Sequence, residues 1–173
     1  MRLRSLGLAS GLVLLLVRPA AAQQPQTPPG CTAVEHAQFD FWVGSWIVRN
    51  TDGVTIGRSR IEKVSTGCAV LESWTDARGV DGHSINFYDP GSGSWHQVWM
   101  GSNGQPLRLE GGADRPGRMI LSGTRPTPQG TVQNRITWTR LDDGSVEQRW
   151  ETSTDGGATW TVGFLGVYSR QGR

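Results

Sequence analysis

Apolar side chains recur at every second position in several stretches of the chain. Over residues 145–152, Val146, Gln148 and Trp150 share one face, while Glu147, Arg149 and Glu151 share the other. A period of two is that of a β-strand. Three charges on one face do not bury unpaired, so the Val146/Gln148/Trp150 face points inward. Over residues 94–100, Trp95, Gln97 and Trp99 fall on one face, with His96 and Val98 opposite. By analogy the Trp-Gln-Trp face also points inward. Val70, Glu72 and Trp74 share a face in a third stretch. The implied interior is aromatic, with a few amides and one acid.

Glycines punctuate these stretches with a steady beat, at Gly53, Gly67, Gly82, Gly91, Gly104, Gly117, Gly130, Gly144 and Gly157. Asp52-Gly53, Asn103-Gly104 and Asp143-Gly144 are hairpin pairs that tolerate the positive φ of tight turns. Nine such turns predict about ten strands, all antiparallel to their neighbours, because a parallel crossover needs a dozen or more residues. An open meander of that length leaves two long edges, and closure removes them. The expected fold is all-β, a ten-stranded antiparallel meander closed into a barrel, with a two-sheet sandwich as the alternative. One short helix is expected over 33–39, opened by a Thr32/Glu35 capping box.

The chain starts with a positive pair, Arg2 and Arg4, an apolar run at 6–17, and Ala20-Ala21-Ala22. This is the pattern of a secretory signal peptide over 1–22, too short to span a bilayer. A Gln- and Pro-rich lead-in at 23–30 reads as disordered, and 31–173 as one barrel domain. Cleavage removes three of the 17 basic residues and leaves 14 against 15 acidic ones. No basic surplus then remains for nucleic acid or an anionic membrane. The product is expected to be periplasmic or secreted, with no membrane insertion. In that compartment the only two cysteines, Cys31 and Cys68, suggest a disulfide.

Gly44-Ser45-Trp46 resembles the Gly-x-Trp signature of lipocalins, whose Trp seals one end of a barrel. The resemblance implies an Arg from the chain end packed on that Trp, for which Arg170 is the candidate. A wider resemblance runs through Phe39 to Trp46, Gly67-Cys68, Glu72-x-Trp74, Gly82-x-Ser84-x-Asn86-x-Tyr88, Trp95-x-Gln97-x-Trp99, Trp150, and Ser153-x-Asp155-Gly156-Gly157-x-Thr159-Trp160. These segments are similar to a family of exported bacterial proteins of unknown function. The resemblance implies a lipocalin-like, calycin-like barrel and no agreed catalytic residues. The last segment also resembles the Asp-box of sialidases, which implies a structural hairpin.

The candidate ligand-binding residues are Glu72, Trp74, Ser84, Asn86, Trp95, Gln97, Trp99, Gln148 and Trp150. On one reading the tryptophans are core, and Gln97 and Gln148 only satisfy their indole N–H groups. On the other the barrel is too wide to fill, and the amides orient a small, largely apolar or aromatic ligand. Glu72 has two readings of its own. It is either a buried general acid or base, with Ser84, Asn86 or Gln97 as polarising donors, or half of an ion pair with an inward Arg such as Arg140. His36, His83 and His96 lack metal-ligand spacing. No cofactor is called for, haem on His83 being the alternative. The expected function is therefore binding of a small molecule. An enzyme using Glu72 and a structural or protein-binding β-domain are the alternatives, and no particular protein partner is singled out.

Overall fold

The computed structural model describes residues 30–171. The expected signal peptide and, apart from Gly30, the expected lead-in lie outside them. Ten strands follow one another: β1 (Gly44–Arg49), β2 (Thr55–Val64), β3 (Ala69–Asp76), β4 (Asp81–Asp89), β5 (Ser94–Gly101), β6 (Pro106–Arg115), β7 (Arg118–Thr127), β8 (Gly130–Arg140), β9 (Val146–Ser153) and β10 (Thr161–Arg170). Each is antiparallel to its neighbours, and β1 pairs with β10 from Trp46↔Arg170 to Arg49↔Val167, closing a barrel. The closure excludes a sandwich. Register shifts near strand ends, such as Val48/Arg49 and Val162/Phe164, let the strands bend around the wall.

Alternation places the expected side chains inside. On β9, Val146 is fully buried, while Arg149 and Glu151 pair across the outer face at 3.2 Å and Glu151 also meets Arg135 at 3.0 Å. Eight of the nine expected glycines sit in or beside turns. Gly82 instead lies in β4, and the turn before it uses Gly79, whose φ is +85°. Gly82 is held in the strand by a neighbour, because a Cβ there would lie 2.5 Å from the Trp99 ring.

The helical segment is short and tighter than an α-helix. It comprises two 3-10 turns, Val34–Ala37 and Asp40–Trp42, and no side chain caps the first, so the Thr32/Glu35 box does not form. The geometry follows from burial. His36, Phe39 and Trp42 are three residues apart and all buried, and three residues per turn stacks them on one side. They plug one barrel mouth. Phe39 stacks on Trp42 at 4.9 Å and meets the edges of Trp138 and Trp95 at 5.1 and 5.7 Å. The Cys31–Cys68 disulfide is formed, with Cα atoms 4.9 Å apart, and ties this plug to the start of β3. Lys63 adds an ion pair to Asp40 at 2.8 Å.

Trp46 occupies the place the Gly-x-Trp pattern implies. It is fully buried, donates to the Trp42 carbonyl at 2.8 Å, and carries the Arg170 guanidinium 4.1 Å above its ring. Gly44 makes room for that arginine, since a Cβ there would overlap the guanidinium. The Asp155 motif is a hairpin built from its own atoms. Asp155 accepts from the Thr159 amide and hydroxyl, and Trp160 donates to the Gly157 carbonyl. Those bonds hold the Asp155 carboxyl well below its usual range.

Candidate functional site

The plug fills one half of the barrel, and the other half holds a cavity. It measures about 200 Å³ and is lined by Glu72, Trp74, Gln97, Trp99, Leu107, Ile136, Gln148, Trp150, Phe164 and Tyr168. The ends of β3, β5 and β9 supply Trp74, Trp99 and Trp150, and the start of β10 supplies Phe164. All four are half-buried, so this end is the mouth. Trp74 and Phe164 meet edge to face at 5.9 Å. Two glycines keep the mouth from closing. Cβ atoms at Gly57 and Gly82 would each lie 2.5 Å from the far edge of Trp74 and Trp99. Without them the rings rest against the wall instead of across the opening.

One wall is polar and continuous. Ser59 donates to Glu72 Oε1 and Ser84 to Glu72 Oε2, both at 3.0 Å. Asn86 donates through Nδ2 to Ser84 Oγ at 3.0 Å and to the Val70 carbonyl at 3.1 Å. Gln97 Nε2 then donates to Asn86 Oδ1 at 2.7 Å. The chain crosses β2, β3, β4 and β5, and every member is buried. Gln97 Oε1 has no partner among the described residues. Burial pushes the Glu72 carboxyl up to about 7, and the two serine hydroxyls oppose the rise. Burial, and the nearby Glu72 charge, raise the Tyr168 phenol well above its ordinary value. On the opposite side Tyr168 donates to Gln148 Oε1, and Trp150 Nε1 donates to Asn134 at 3.0 Å.

Of the nine candidate binding residues, Glu72, Trp74, Gln97, Trp99, Gln148 and Trp150 converge on the cavity. Ser84 and Asn86 stand behind it as links of the polar chain. Trp95 does not reach it. It lies beside Phe39 at the plugged end and donates to Gln38 Oε1 at 3.0 Å. Alternation fixes which face a side chain takes but not its depth along the barrel axis, and Trp95 opens its strand at the plugged end. Gln97 and Gln148 are not indole partners, since their bonds go to Asn86 and Tyr168. Arg140 is exposed beside Gly117, and the Glu72 oxygens are held by Ser59 and Ser84, so the expected ion pair does not form. His83 points outward and pairs with Asp81 at 3.5 Å, and His96 stacks on Phe87 on the outer face. Neither histidine enters the interior.

Comparison with protein-family models and with curated proteins finds no match for this chain.

Sequence reasoning missed Ser59, Leu107, Ile136, Phe164 and Tyr168. Ser59 carried a readable signal, because Gly57, Ser59 and Ile61 alternate with Arg58, Arg60 and Glu62, the same charged-face pattern as β9. Ile136 alternates likewise with Arg135. Phe164 follows a register shift at Val162/Phe164 that interrupts simple counting.

Proposed function

We propose that this barrel binds a small, largely apolar or aromatic molecule in the cavity opposite its plug. The observation that carries the reading is the contrast between the two halves of one interior. In the plugged half, Phe39, Trp42, Trp46 and Trp138 pack to full burial. In the open half, Trp74, Trp99, Trp150 and Phe164 are only half-buried around a cavity, and Trp74 and Trp99 lie flat against the wall where Gly57 and Gly82 carry no side chain. A barrel whose interior served only stability gains nothing from this, because each unfilled volume forfeits contact energy. The expected signal peptide, the disulfide and the Gly-x-Trp/Arg pairing fit an exported, lipocalin-like carrier. Native mass spectrometry of protein purified from its own host tests the reading. A bound mass of a few hundred daltons or less, released by denaturation, is expected. Ligand-free protein that also fails to bind any small aromatic probe would refute it.

A second reading, acid–base chemistry on the guest, rests on Glu72, whose carboxyl at about 7 is poised for proton transfer near neutral pH. Both of its oxygens hold serine hydroxyls, which favours a structural and orienting role. Turnover of a bound guest that vanishes in Glu72→Gln while binding persists would establish the catalytic reading instead.

A further inference from the structure

The cavity is walled by one acid and no base. Glu72 is buried in its lining, and no lysine, arginine or histidine lines it. Ser59 and Ser84 each donate to one Glu72 oxygen at 3.0 Å, bonds that favour the charged carboxylate over the neutral acid. Among the described residues no cationic side chain pairs with that carboxylate. A carboxylate buried without a cation is costly, and burial accordingly pushes Glu72 up to about 7. Two donors and no counter-charge leave half of an ion pair in the cavity wall.

The same lining is rich in rings: Trp74, Trp99, Trp150, Phe164 and Tyr168. Trp74 and Trp99 lie flat against the wall at Gly57 and Gly82, which leaves the other face of each to the cavity. Ring faces attract cations, those of Trp most strongly. Free acceptors are scarce. The Glu72 oxygens hold serine hydroxyls, Gln148 Oε1 takes the Tyr168 hydroxyl, and Gln97 Oε1 is shut off by burial. A primary ammonium would bring three N–H donors to such a site, and a quaternary one brings none. An apolar cavity of about 150 Å³ takes up benzene, so about 200 Å³ admits a trimethylammonium head with a short arm. We infer that the guest is a small N-methylated ammonium compound, its charge set on the faces of the mouth tryptophans and within the field of the Glu72 carboxylate. This rests on the binding reading above and names its guest. The two charges need no direct contact, because attraction across a low-dielectric wall is several-fold stronger than in water.

Choline and 3,3-dimethylbutan-1-ol share an outline and differ in a charged nitrogen against a neutral carbon. Titration calorimetry of the purified protein at pH 8 is expected to show choline bound at least tenfold more tightly than the alcohol. Glu72→Gln should lower choline affinity at least tenfold and alcohol affinity less than threefold. Alcohol binding retained by the variant shows that its barrel is intact. If the variant does not fold, the wild type at pH 5.5 takes its place, where Glu72 keeps its proton and choline affinity should fall at least fivefold while that of the alcohol holds. The groups facing Glu72 do not confuse that comparison: β2 and β4 present Ser59 and Ser84, and Tyr168 on β10 stays protonated at both pH values. Choline bound no more tightly than the alcohol overturns the inference. A choline preference untouched by Glu72→Gln, or by pH 5.5, overturns the part given to the carboxylate. If neither probe binds while indole does, the ammonium guest falls and the binding reading stands. If indole fails as well, both fall.

Discussion

Glu72→Gln should make the protein's stability less dependent on pH, in a direction opposite to that of most carboxylates. In the native protein burial raises the Glu72 carboxyl from 4.5 to about 7. The native state therefore holds a proton between those values that the unfolded chain has released. Stability from this group is greatest below about 4.5, falls as pH rises through that window, and stays low above about 7. The full difference is worth about 3 kcal/mol, of which about 2.5 kcal/mol lies between pH 5 and pH 8. Glutamine keeps the bonds to Ser59 and Ser84, accepting from one and donating to the other, and does not titrate. The assay is urea unfolding of both proteins across that range, because their difference cancels every other titrating group. Relative to the wild type, the variant should gain about 2.5 kcal/mol from pH 5 to pH 8. At a urea slope of about 2 kcal/mol per molar that moves its midpoint by about 1 M. Midpoints that track each other across the range would refute the reasoning and mean that Glu72 is solvated in the native state.

Trp99→Ala should weaken binding of an aromatic probe by about 1–3 kcal/mol, yet cost less stability than Trp138→Ala in the packed half, where about 3–5 kcal/mol is expected; calorimetry and urea unfolding read the two effects. Gly82→Ala should push the Trp99 ring into the cavity and abolish probe binding while the far-ultraviolet circular dichroism of the barrel is unchanged; probe affinity equal to wild type would contradict the proposed part of that glycine. Replacing both Cys31 and Cys68 with Ala should cost about 3–4 kcal/mol, the loop-closure value for a span of 37 residues, and unreduced, denatured wild type should show no free thiol on labelling. Arg170→Ala removes the cation over Trp46 and the bond to the Val43 carbonyl, and should lower stability by about 1–2 kcal/mol in thermal or urea unfolding.

The fold was legible because it is written in a single period. Charges on alternate positions of β9 mark its outer face, and hairpin glycines mark where strands stop. Closure followed from the same facts, since so many consecutive hairpins leave edges that must be paired. Depth along the barrel was not legible. Trp95 and Trp99 share a face on one strand, and only the three-dimensional path of β5 places the first in the plug and the second at the mouth. The 3-10 form of the plug was readable in principle from the three-residue spacing of His36, Phe39 and Trp42, but a capping-box pattern at Thr32 and Glu35 pointed to an α-turn. Gly82 looked like a turn because glycine in a strand serves two purposes, a sharp bend or the close approach of a ring, and local sequence does not separate them. The polar chain from Ser59 to Gln97 joins four strands, so its connectivity exists only once their registers are set.

The central claim, that the open half of the barrel holds an aromatic guest, meets its most direct test in the indole N–H signals of the eight tryptophans. Titration of isotope-labelled protein with unlabelled indole, followed by proton–nitrogen correlation spectra, reads each ring separately. The account predicts large, saturable shifts for Trp74, Trp99 and Trp150 and for the side-chain amides of Gln97 and Gln148, with Trp42, Trp46 and Trp138 unmoved. Saturating indole that leaves the three mouth tryptophans where they were, or that moves only the rings of the plug, would contradict it.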